Sequence, residues 1–539
     1  MISETKQVML LLSAVLYLIM LSRVTTQILC PKACKCSYNE EKRTFADCSN
    51  FSLSQLPEDI NNVTSSMTLN FNNIKILKTQ EFVKQRLLQL ENLMMRSNKL
   101  RIIQRDAFLG MKKLLDLDLK NNLISLHPHM FRGLDNLTYL DLQGNKIFVL
   151  KRGVLQDVPK LKELVLNSNF MVEIEHEAFL NMANLTYLSI RHNLLYKICR
   201  EMFQGIHNLE FLDLGENNIT TIESGAFKDL NKVRELKLDG NLLMMLGPGM
   251  FDGLIKLQRI RFDNNEIKYL YPGAFKDATR LEVLLMWKNK LSILDKDTWS
   301  YMPQITDLVL RNNEIKTWVS TSLWNMKELT LIDVGTNLLE HIPGDAFVNV
   351  TKLRNLNLSN NKIKSLDPKT FNNTKISYLN LAGNRIKFLD PYVLESLKNL
   401  EKIWLSANGL IAIHPKAFAN NRKIKEMFLD NNKLKTLNKD LFTSLTILTT
   451  VDLSNNSFVC DCELKYTWRW LKMNNLRTSL KSMRQSKARS TLSMVMDPTC
   501  ADPSELRGQE WSVLNDLTCK DQIDISETET DDYSEEDED

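Results

Sequence analysis

One short pattern, LxLxxNxL, recurs along almost the whole chain at a nearly constant spacing. Its asparagines occupy seventeen positions: Asn72, Asn98, Asn122, Asn145, Asn169, Asn193, Asn217, Asn241, Asn265, Asn289, Asn313, Asn337, Asn361, Asn384, Asn408, Asn432 and Asn456. They span 384 residues in sixteen steps, so the mean period is 24. One such segment cannot bury an apolar face alone, so successive copies must stack around a continuous core. The sequence therefore predicts an α/β repeat solenoid of about 17 turns.

Each part of the repeat has a physical role. Leucines such as Leu236 and Leu238 alternate with polar residues, which is typical of a strand with one buried face. The asparagine follows at a bend, where its amide can bond backbone groups that would cost about 1–3 kcal/mol each if left unpaired. Ten residues after most asparagines comes an aromatic residue that we expect to stack inside the opposite side of the solenoid: Phe108, Phe179, Phe203, Phe227, Phe251, Phe275, Trp299, Phe347, Phe371, Phe418 and Phe442.

Eight of the nine cysteines form two clusters near the ends of the repeat array. The first contains Cys30, Cys34, Cys36 and Cys48, and the second contains Cys460, Cys462, Cys500 and Cys519. Four closely spaced thiols can hold zinc, and this is the competing interpretation. We favour disulfides, because the N-terminus carries features of an export signal.

That signal is an apolar run from Val8 to Leu21 preceded by Lys6 and followed by polar residues. The run is short for a membrane span, and we expect cleavage near residues 23–27, with a retained signal anchor as the alternative. No later stretch reaches the length of a membrane helix. We therefore expect a secreted, extracellular protein in which residues 1–26 are a signal peptide and no segment spans a membrane.

The two cysteine clusters stand where a solenoid needs caps, and here the chain resembles the extracellular leucine-rich-repeat family. CPKACKC followed by Cys48 resembles its N-terminal cap, and FVCDCELKYTWRWL with CADPSELRGQEWSVLNDLTC resembles its C-terminal cap. The resemblance implies a horseshoe with a parallel sheet on its concave face. It also implies four disulfides: Cys30–Cys36, Cys34–Cys48, Cys460–Cys500 and Cys462–Cys519.

The expected organisation is a cap at 27–64, repeats at 65–458, a second cap at 459–519 and an acidic tail at 520–539. The second cap departs from the family pattern by an insert near residues 476–496. Basic residues in and before this insert are candidate anion ligands: Lys472, Arg477, Lys481, Arg484, Lys487 and Arg489. They predict binding of heparan sulfate or another polyanion, unless the segment is a plain solvated loop or the acidic tail folds back onto it.

The tail holds eleven Asp and Glu in residues 521–539 and no Lys or Arg, although the whole chain carries a net charge of +4. A segment so rich in charge and so poor in apolar residues is expected to stay disordered. Tyr533 lies among these acids, which predicts tyrosine sulfation.

Candidate partner-binding residues lie two, four or six positions before a repeat asparagine, where side chains should point out of the concave face. Most such residues are polar, but two places are apolar and bordered by arginine. The expected partner site comprises Arg259, Arg261, Val283, Leu285, Trp287, Val309, Arg311 and Leu331, with Trp404 and Phe428 on later repeats. Exposed apolar clusters mark interfaces, and Trp and Arg are frequent anchors there. The alternatives are cover by a glycan, a lattice-like contact or neutral drift.

Nine Asn-x-Ser/Thr sites are expected glycan acceptors in an exported chain: Asn50, Asn62, Asn136, Asn184, Asn218, Asn349, Asn357, Asn372 and Asn455. Asn357 falls on the predicted concave face, where a sugar would close part of the surface. Cys199 has no mate, and it is either a buried free thiol or a link between two chains.

Nothing in the sequence predicts an enzyme. The seven histidines have no metal-ligand spacing, and no phosphate loop or nucleophile motif is present. We expect no metal or cofactor and no nucleic-acid partner. The first hypothesis is a recognition or adaptor protein holding an extracellular protein ligand on its concave face. The alternative is a matrix protein that binds collagen or glycosaminoglycan through the basic C-terminal cap.

Overall fold

The computed structural model describes residues 30–38, 44–299, 301–479 and 498–519. The chain divides into two compact units, Met1–Ile332 and Asp333–Asp539. Each unit is built from a main parallel sheet and from turns that return the chain from one strand to the next.

In the first unit, one short strand per repeat pairs in parallel with the strand of the next repeat. The main-sheet strands are Lys35–Tyr38, Thr44–Asp47, Thr64–Thr68, Asn92–Met94, Asp116–Asp118, Tyr139–Asp141, Glu163–Val165, Tyr187–Ser189, Phe211–Asp213, Glu235–Lys237, Arg259–Arg261, Val283–Leu285 and Asp307–Val309. Equivalent positions of successive repeats lie side by side in the sheet: Glu235 is paired with Arg259, and Arg259 with Val283. The strand Leu331–Asp333 lies at the boundary between the units.

The second unit repeats the same arrangement. Its main-sheet strands are Asn355–Asn357, Tyr378–Asn380, Lys402–Trp404, Glu426–Phe428 and Thr450–Asp452. Two-residue strands pair on the far side of the repeats in both units: Ile76–Leu77, Ile102–Ile103, Val149–Leu150, Glu173–Ile174, Lys197–Ile198, Thr221–Ile222, Met245–Leu246, Tyr269–Leu270, Ile293–Leu294, Thr317–Trp318, Phe388–Leu389 and Ala412–Ile413. The predicted repeat solenoid with a parallel main sheet is confirmed.

Helices are few and short in the described residues. They are Glu81–Lys84, Lys296–Trp299 and Cys462–Met473, with 3-10 turns at Lys439–Leu441 and Trp511–Asn515. The predicted aromatic residues occupy the buried side of the returning turns, where Phe227 and Phe251 stack at 6.2 Å and Phe251 and Phe275 at 5.2 Å between ring centroids. This aromatic row fills the core opposite the main sheet.

The repeat asparagines bond neighbouring turns together, as predicted. In one typical case the Asn241 Nδ2 donates to the carbonyl oxygens of Leu214 and Leu238, both at 3.0 Å. Its Oδ1 accepts the backbone N–H of Ile219 at 3.0 Å. Because the side chain is buried, no water replaces these bonds, and the asparagine joins its own turn to the preceding one.

The N-terminal cap closes one edge of the sheet. Strand Lys35–Tyr38 pairs antiparallel with Thr44–Asp47, which in turn pairs in parallel with Thr64–Thr68. Disulfides Cys30–Cys36 and Cys34–Cys48 fasten this hairpin, as the resemblance implied. An uncovered edge strand would template pairing with another chain, so the cap protects the fold.

The C-terminal cap closes the other end with the helix Cys462–Met473. Its disulfides are Cys460–Cys500 and Cys462–Cys519, again as implied. Trp468 packs edge-on against the fully buried Trp511 at 5.8 Å. After the helix, the carbonyl oxygen of Arg477 accepts the N–H of Val451 at 2.8 Å, so the start of the predicted insert extends the main sheet.

Candidate binding surface

The outward side of the main sheet carries the side chains two, four and six residues before each repeat asparagine, and we call it the open face. An Asp or Asn four residues before the repeat asparagine commonly ends the strand. Asp141 Oδ1 accepts the N–H of Gln143 at 2.8 Å, and Asp213 Oδ1 accepts that of Gly215 at 2.9 Å. Burial raises the pKa of both carboxyl groups. These acids therefore shape the backbone, and their repetition needs no catalytic explanation.

The apolar residues predicted on this face come together in the first unit. Leu285 lies between Arg261 on one neighbouring strand and Val309 on the other, and Val283 lies beside Arg259. The apolar members of the group are all half-buried: Val283, Leu285, Trp287, Val309 and Leu331. Arg259 and Arg311 are exposed, which gives the cluster a basic rim. We call this group, with Arg261, the Trp287 patch.

Asp263 holds the centre of the Trp287 patch in place. Its Oδ2 accepts from Nε and Nη2 of Arg261, both at 3.1 Å, and its Oδ1 accepts the backbone N–H of Trp287 at 3.2 Å. Only 2% of the Asp263 side chain is exposed, and burial raises its pKa although Arg261 opposes the shift. The Nζ of Lys288 lies 4.9 Å from the Trp287 ring centroid. One buried carboxylate thus holds the Arg261 guanidinium and the backbone of Trp287.

Sequence reasoning missed one acid inside the patch. Asp307 is the sheet neighbour of Val283, in the row that also contains Leu331. It was passed over because a polar residue is ordinary on a sheet face. A partner that covers this patch must therefore present a cation or a hydrogen-bond donor opposite Asp307 as well as apolar surface.

The aromatic pair predicted in the second unit is present but differs in exposure from the prediction. Trp404 and Phe428 stack with ring centroids 5.6 Å apart. The Nζ of Lys402 lies 4.9 Å from the Trp404 centroid and 5.1 Å from that of Phe428. Phe428 occupies the expected position opposite Trp404, but it is only 6% exposed. Its neighbours cover it, which leaves Trp404 as the accessible member.

A second apolar surface lies outside the open face. One and three residues after the repeat asparagine, four of the five consecutive turns from Asn145 to Asn241 carry exposed large apolar side chains: Phe148, Phe170, Val172, Leu194, Tyr196, Leu242 and Met244. Phe148 and Phe170 stack at 5.6 Å. Sequence reasoning missed this row because it considered only positions before the asparagine. The glycosylation motif at Asn218 falls within the row, between Leu194 and Leu242.

Several other predicted residues lie outside the described residues. These are the signal segment, Lys481, Arg484, Lys487, Arg489 and Tyr533. Lys472 is exposed, with its Nζ 4.4 Å from the Trp468 ring centroid, and the Arg477 side chain is exposed as well. Among the described residues, the structure places neither Lys472 nor Arg477 in a defined anion pocket.

The predicted glycosylation sites are distributed over both units. Asn357 lies on the open face as expected, and its Nδ2 donates to Asp333 Oδ1 at 2.8 Å. Asn136 Nδ2 donates to the Lys112 carbonyl oxygen at 2.7 Å and Asn184 Nδ2 to that of Pro159 at 3.0 Å, while Asn455 Nδ2 donates to Asn431 Oδ1 at 3.1 Å. Cys199 is half-buried and forms no disulfide, and burial raises the pKa of its thiol.

Within the ranges that the structure describes, no group of three or more His, Cys, Asp or Glu is arranged to hold a metal ion. In the same ranges, no helix is long and apolar enough to cross a membrane, and the longest has 12 residues. In each unit the geometry offers a repetitive surface with apolar and charged side chains in regular register. Such a surface defines a class of protein, the capped parallel-strand solenoids.

The Leucine rich repeat family model matches residues 88–147, 136–195, 183–243, 233–291, 306–363, 327–386, 351–410 and 398–458. These segments cover more than half of the chain, which therefore belongs to the leucine-rich repeat family. The family typically provides non-enzymatic scaffolds for protein interactions. The disulfides near both ends mark the chain as a member with cysteine caps.

Curated relatives include the NT-3 growth factor receptor of Sus scrofa, 28% identical over 90 residues, which are 17% of this chain and 11% of the receptor. The Macaca fascicularis receptor is 33% identical over 87 residues, 15% of this chain and 10% of the receptor. The chain thus matches only about a tenth of the length of these relatives.

Solved structures share the fold at low identity. A chain of the Toll–Spatzle complex of Drosophila is 20% identical and aligns over 89% of this chain and 74% of its own length, with a TM-score of 0.59. A leucine-rich-repeat protein of Leptospira interrogans is 22% identical over 80% of this chain and 95% of its own, with a TM-score of 0.50. At such identity the likeness establishes the architecture alone.

Proposed function

We propose that this chain is a secreted, extracellular binding protein that holds a protein partner on its open face at the Trp287 patch. One observation carries the proposal: Trp287, Leu285 and Val309 form an apolar cluster on a face whose other positions are mainly polar. The buried Asp263 already holds the Arg261 side chain and the Trp287 backbone, so less of their conformational freedom is lost when a partner binds. Tryptophan and arginine at the centre of such a patch are common interface anchors.

The protein class supports this role. One solved structure with the same fold is a complex of two proteins, Toll and Spatzle. Parallel strands in fixed register place side chains from successive repeats beside one another at about 4.8 Å, which builds a recognition surface without any cavity. The four disulfides are typical of a protein folded in an oxidising, extracellular compartment.

The test compares three forms of the exported protein: wild type, Trp287→Asp and Trp324→Asp. Trp324 is a matched control because it is 45% exposed and lies in the same unit but off the open face. Each form is used to capture ligands from the extracellular fluid that contains the native protein. The proposal expects one discrete protein that wild type and Trp324→Asp retain and Trp287→Asp loses. Equal capture by all three forms would refute it.

A further inference from the structure

The residues one and three positions after the repeat asparagine form a strongly basic surface in the second unit. Six cationic side chains occupy these positions in three turns: Lys362, Lys364, Arg385, Lys387, Lys433 and Lys435. The residue between each pair is buried, as Ile363, Ile386 and Leu434 show. Both flanking side chains therefore point to the same, solvent side. We call this surface the basic flank.

Backbone hydrogen bonds hold the basic flank in register. Arg385 N donates to the Ile363 carbonyl oxygen at 2.8 Å, Ile411 N to that of Lys387 at 2.9 Å, and Lys433 N to that of Leu410 at 2.8 Å. Because adjacent extended segments lie about 4.8 Å apart, the cations spread over roughly 14 Å along the solenoid axis. The turn of Asn408 contributes Gly409 and Ile411 and adds no charge. The six cations thus form two short rows, one at each of the two positions, interrupted at the turn of Asn408.

Little of this positive charge is neutralised by the protein itself. Lys364 pairs with Glu340 at 3.1 Å, whereas the other five cations make no ion pair with the described residues. The hydrogen bond from Lys364, followed by the charges of Lys364, Lys362 and Arg385, lowers the pKa of the Glu340 carboxyl, so this one acid faces three of the six cations. None of the nine glycosylation motifs falls on these flank positions in the second unit. The surface is therefore open as well as charged.

We infer that the basic flank binds a linear sulfated polysaccharide. Five of the six cations are exposed and Lys362 is half-buried, so these side chains stand on an open surface that does not enclose a small anion. Repeated lysines act as point charges that recognise charge density, which a polymer sulfated along its length supplies at every sugar. Long exposed side chains also adapt to variable sulfate spacing. The inference relocates polyanion binding from the cap insert to the repeats, and it is independent of the Trp287 patch.

The experiment measures salt elution from immobilised heparin for wild type and two charge-matched variants of the full chain. The flank variant replaces Lys362, Lys364, Arg385, Lys387, Lys433 and Lys435 by Ser, and the cap variant replaces Lys472, Arg477, Lys481, Arg484, Lys487 and Arg489 by Ser. Both lose six positive charges, so any difference reports position rather than net charge. Thermal unfolding of each variant checks the fold, and a second flank variant with only Arg385→Gln and Lys387→Gln limits any structural damage.

The inference expects the flank variant to bind heparin at least about tenfold more weakly near physiological salt, with a shallower dependence of affinity on salt, because fewer counterions are released. The double variant should show a smaller loss in the same direction, and the cap variant should stay within about twofold of wild type. Unchanged binding by the flank variant would overturn the inference. A loss of heparin binding confined to the cap variant would also overturn the inference. A basic flank that binds a synthetic peptide of residues 521–539 but no heparin would overturn it as well.

Discussion

The Nη2 atom of Arg191 lies 2.9 Å from Oδ2 of Asp239, although 48 residues and one complete repeat separate them in the chain. The same guanidinium contacts Glu216 at 3.2 Å, and its Nη1 lies 3.6 Å from Asp213. Gly215 stands in the intervening repeat at the position equivalent to Arg191. The arginine reaches two repeats along because that repeat has no side chain there.

The substitution Gly215→Ala should break the contact between Arg191 and Asp239. A Cβ at Gly215 would stand 2.2 Å from Arg191 Nη1, so the guanidinium must move and leave Asp239, whose side chain is only 8% exposed. We expect the free energy of unfolding to fall by about 1–3 kcal/mol, since a buried carboxylate loses its charged partner. Urea unfolding measures the change. Gly247→Ala is the control, because a Cβ there meets nothing within 4 Å. Equal effects of the two substitutions would show that Gly215 has no special role.

Asn241→Ala tests the row of buried repeat asparagines that bond neighbouring turns, which we call the asparagine ladder. The substitution removes four hydrogen bonds of the buried side chain, to the backbone of Leu214, Leu238, Asp239 and Ile219. We expect a loss of at least about 2 kcal/mol in the free energy of unfolding. The exposed Asn420 lies outside the ladder, and Asn420→Ala should change stability by no more than about 0.5 kcal/mol. Near-wild-type stability of Asn241→Ala would contradict the ladder as a source of stability.

Tyr139 predicts a dependence of stability on alkaline pH. Burial on the open face, followed by the charges of Asp141 and Asp118, raises its pKa from 10.0 to about 12. The unfolded chain then loses the phenolic proton at lower pH than the folded protein does. The stability that this group contributes is complete below pH 10 and is lost as pH rises toward about 12.

The free energy of unfolding is measured for wild type and Tyr139→Phe between about pH 8 and about pH 12, the range in which tyrosines titrate. Above pH 10 the free energy of unfolding of wild type should fall relative to that of Tyr139→Phe. The tyrosinate absorbance of Tyr139 in the folded wild type should rise at a higher pH than in the unfolded chain. Parallel stability curves for the two proteins would show that Tyr139 titrates alike in both states.

The buried side chain of Lys465 should fasten the last segment of the C-terminal cap. It is only 6% exposed, and its Nζ donates to the carbonyl oxygens of Asn515, at 3.3 Å, and of Leu517. Lys465→Met keeps the stem but removes the donors, so we expect the segment around residues 515–517 to be cleaved faster in limited proteolysis. Arg469→Met, at an exposed position of the same helix, should be cleaved at the wild-type rate. Identical rates for both variants would mean that the lysine does not fasten the segment.

Much of the architecture could be predicted because each repeat carries its own local signals. The period, the asparagine and the aromatic ten residues later all act within one turn or between adjacent turns, so sequence spacing is enough to place them. The disulfide pairs followed from the family resemblance, since spacing alone left the connectivity open.

The site was harder to predict because exposure depends on neighbours in adjacent repeats. Phe428 occupies an outward position, but stacking with Trp404 and contact with Lys402 bury it. The basic flank was missed for a different reason: its lysines look ordinary one at a time, and only the hydrogen-bonded register of the turns shows that Lys387 and Lys433 belong to one surface.

The central claim is that a protein partner contacts the Trp287 patch, and site-specific photo-cross-linking tests it most directly. A photoreactive amino acid replaces Leu285 in one form and Trp324 in another, and each exported protein is irradiated in its native extracellular fluid. The account predicts a single cross-linked protein from position 285 that is absent from position 324 and disappears when Trp287→Asp is added. Cross-linking at position 324 but not at 285, or no protein adduct from 285, would contradict it.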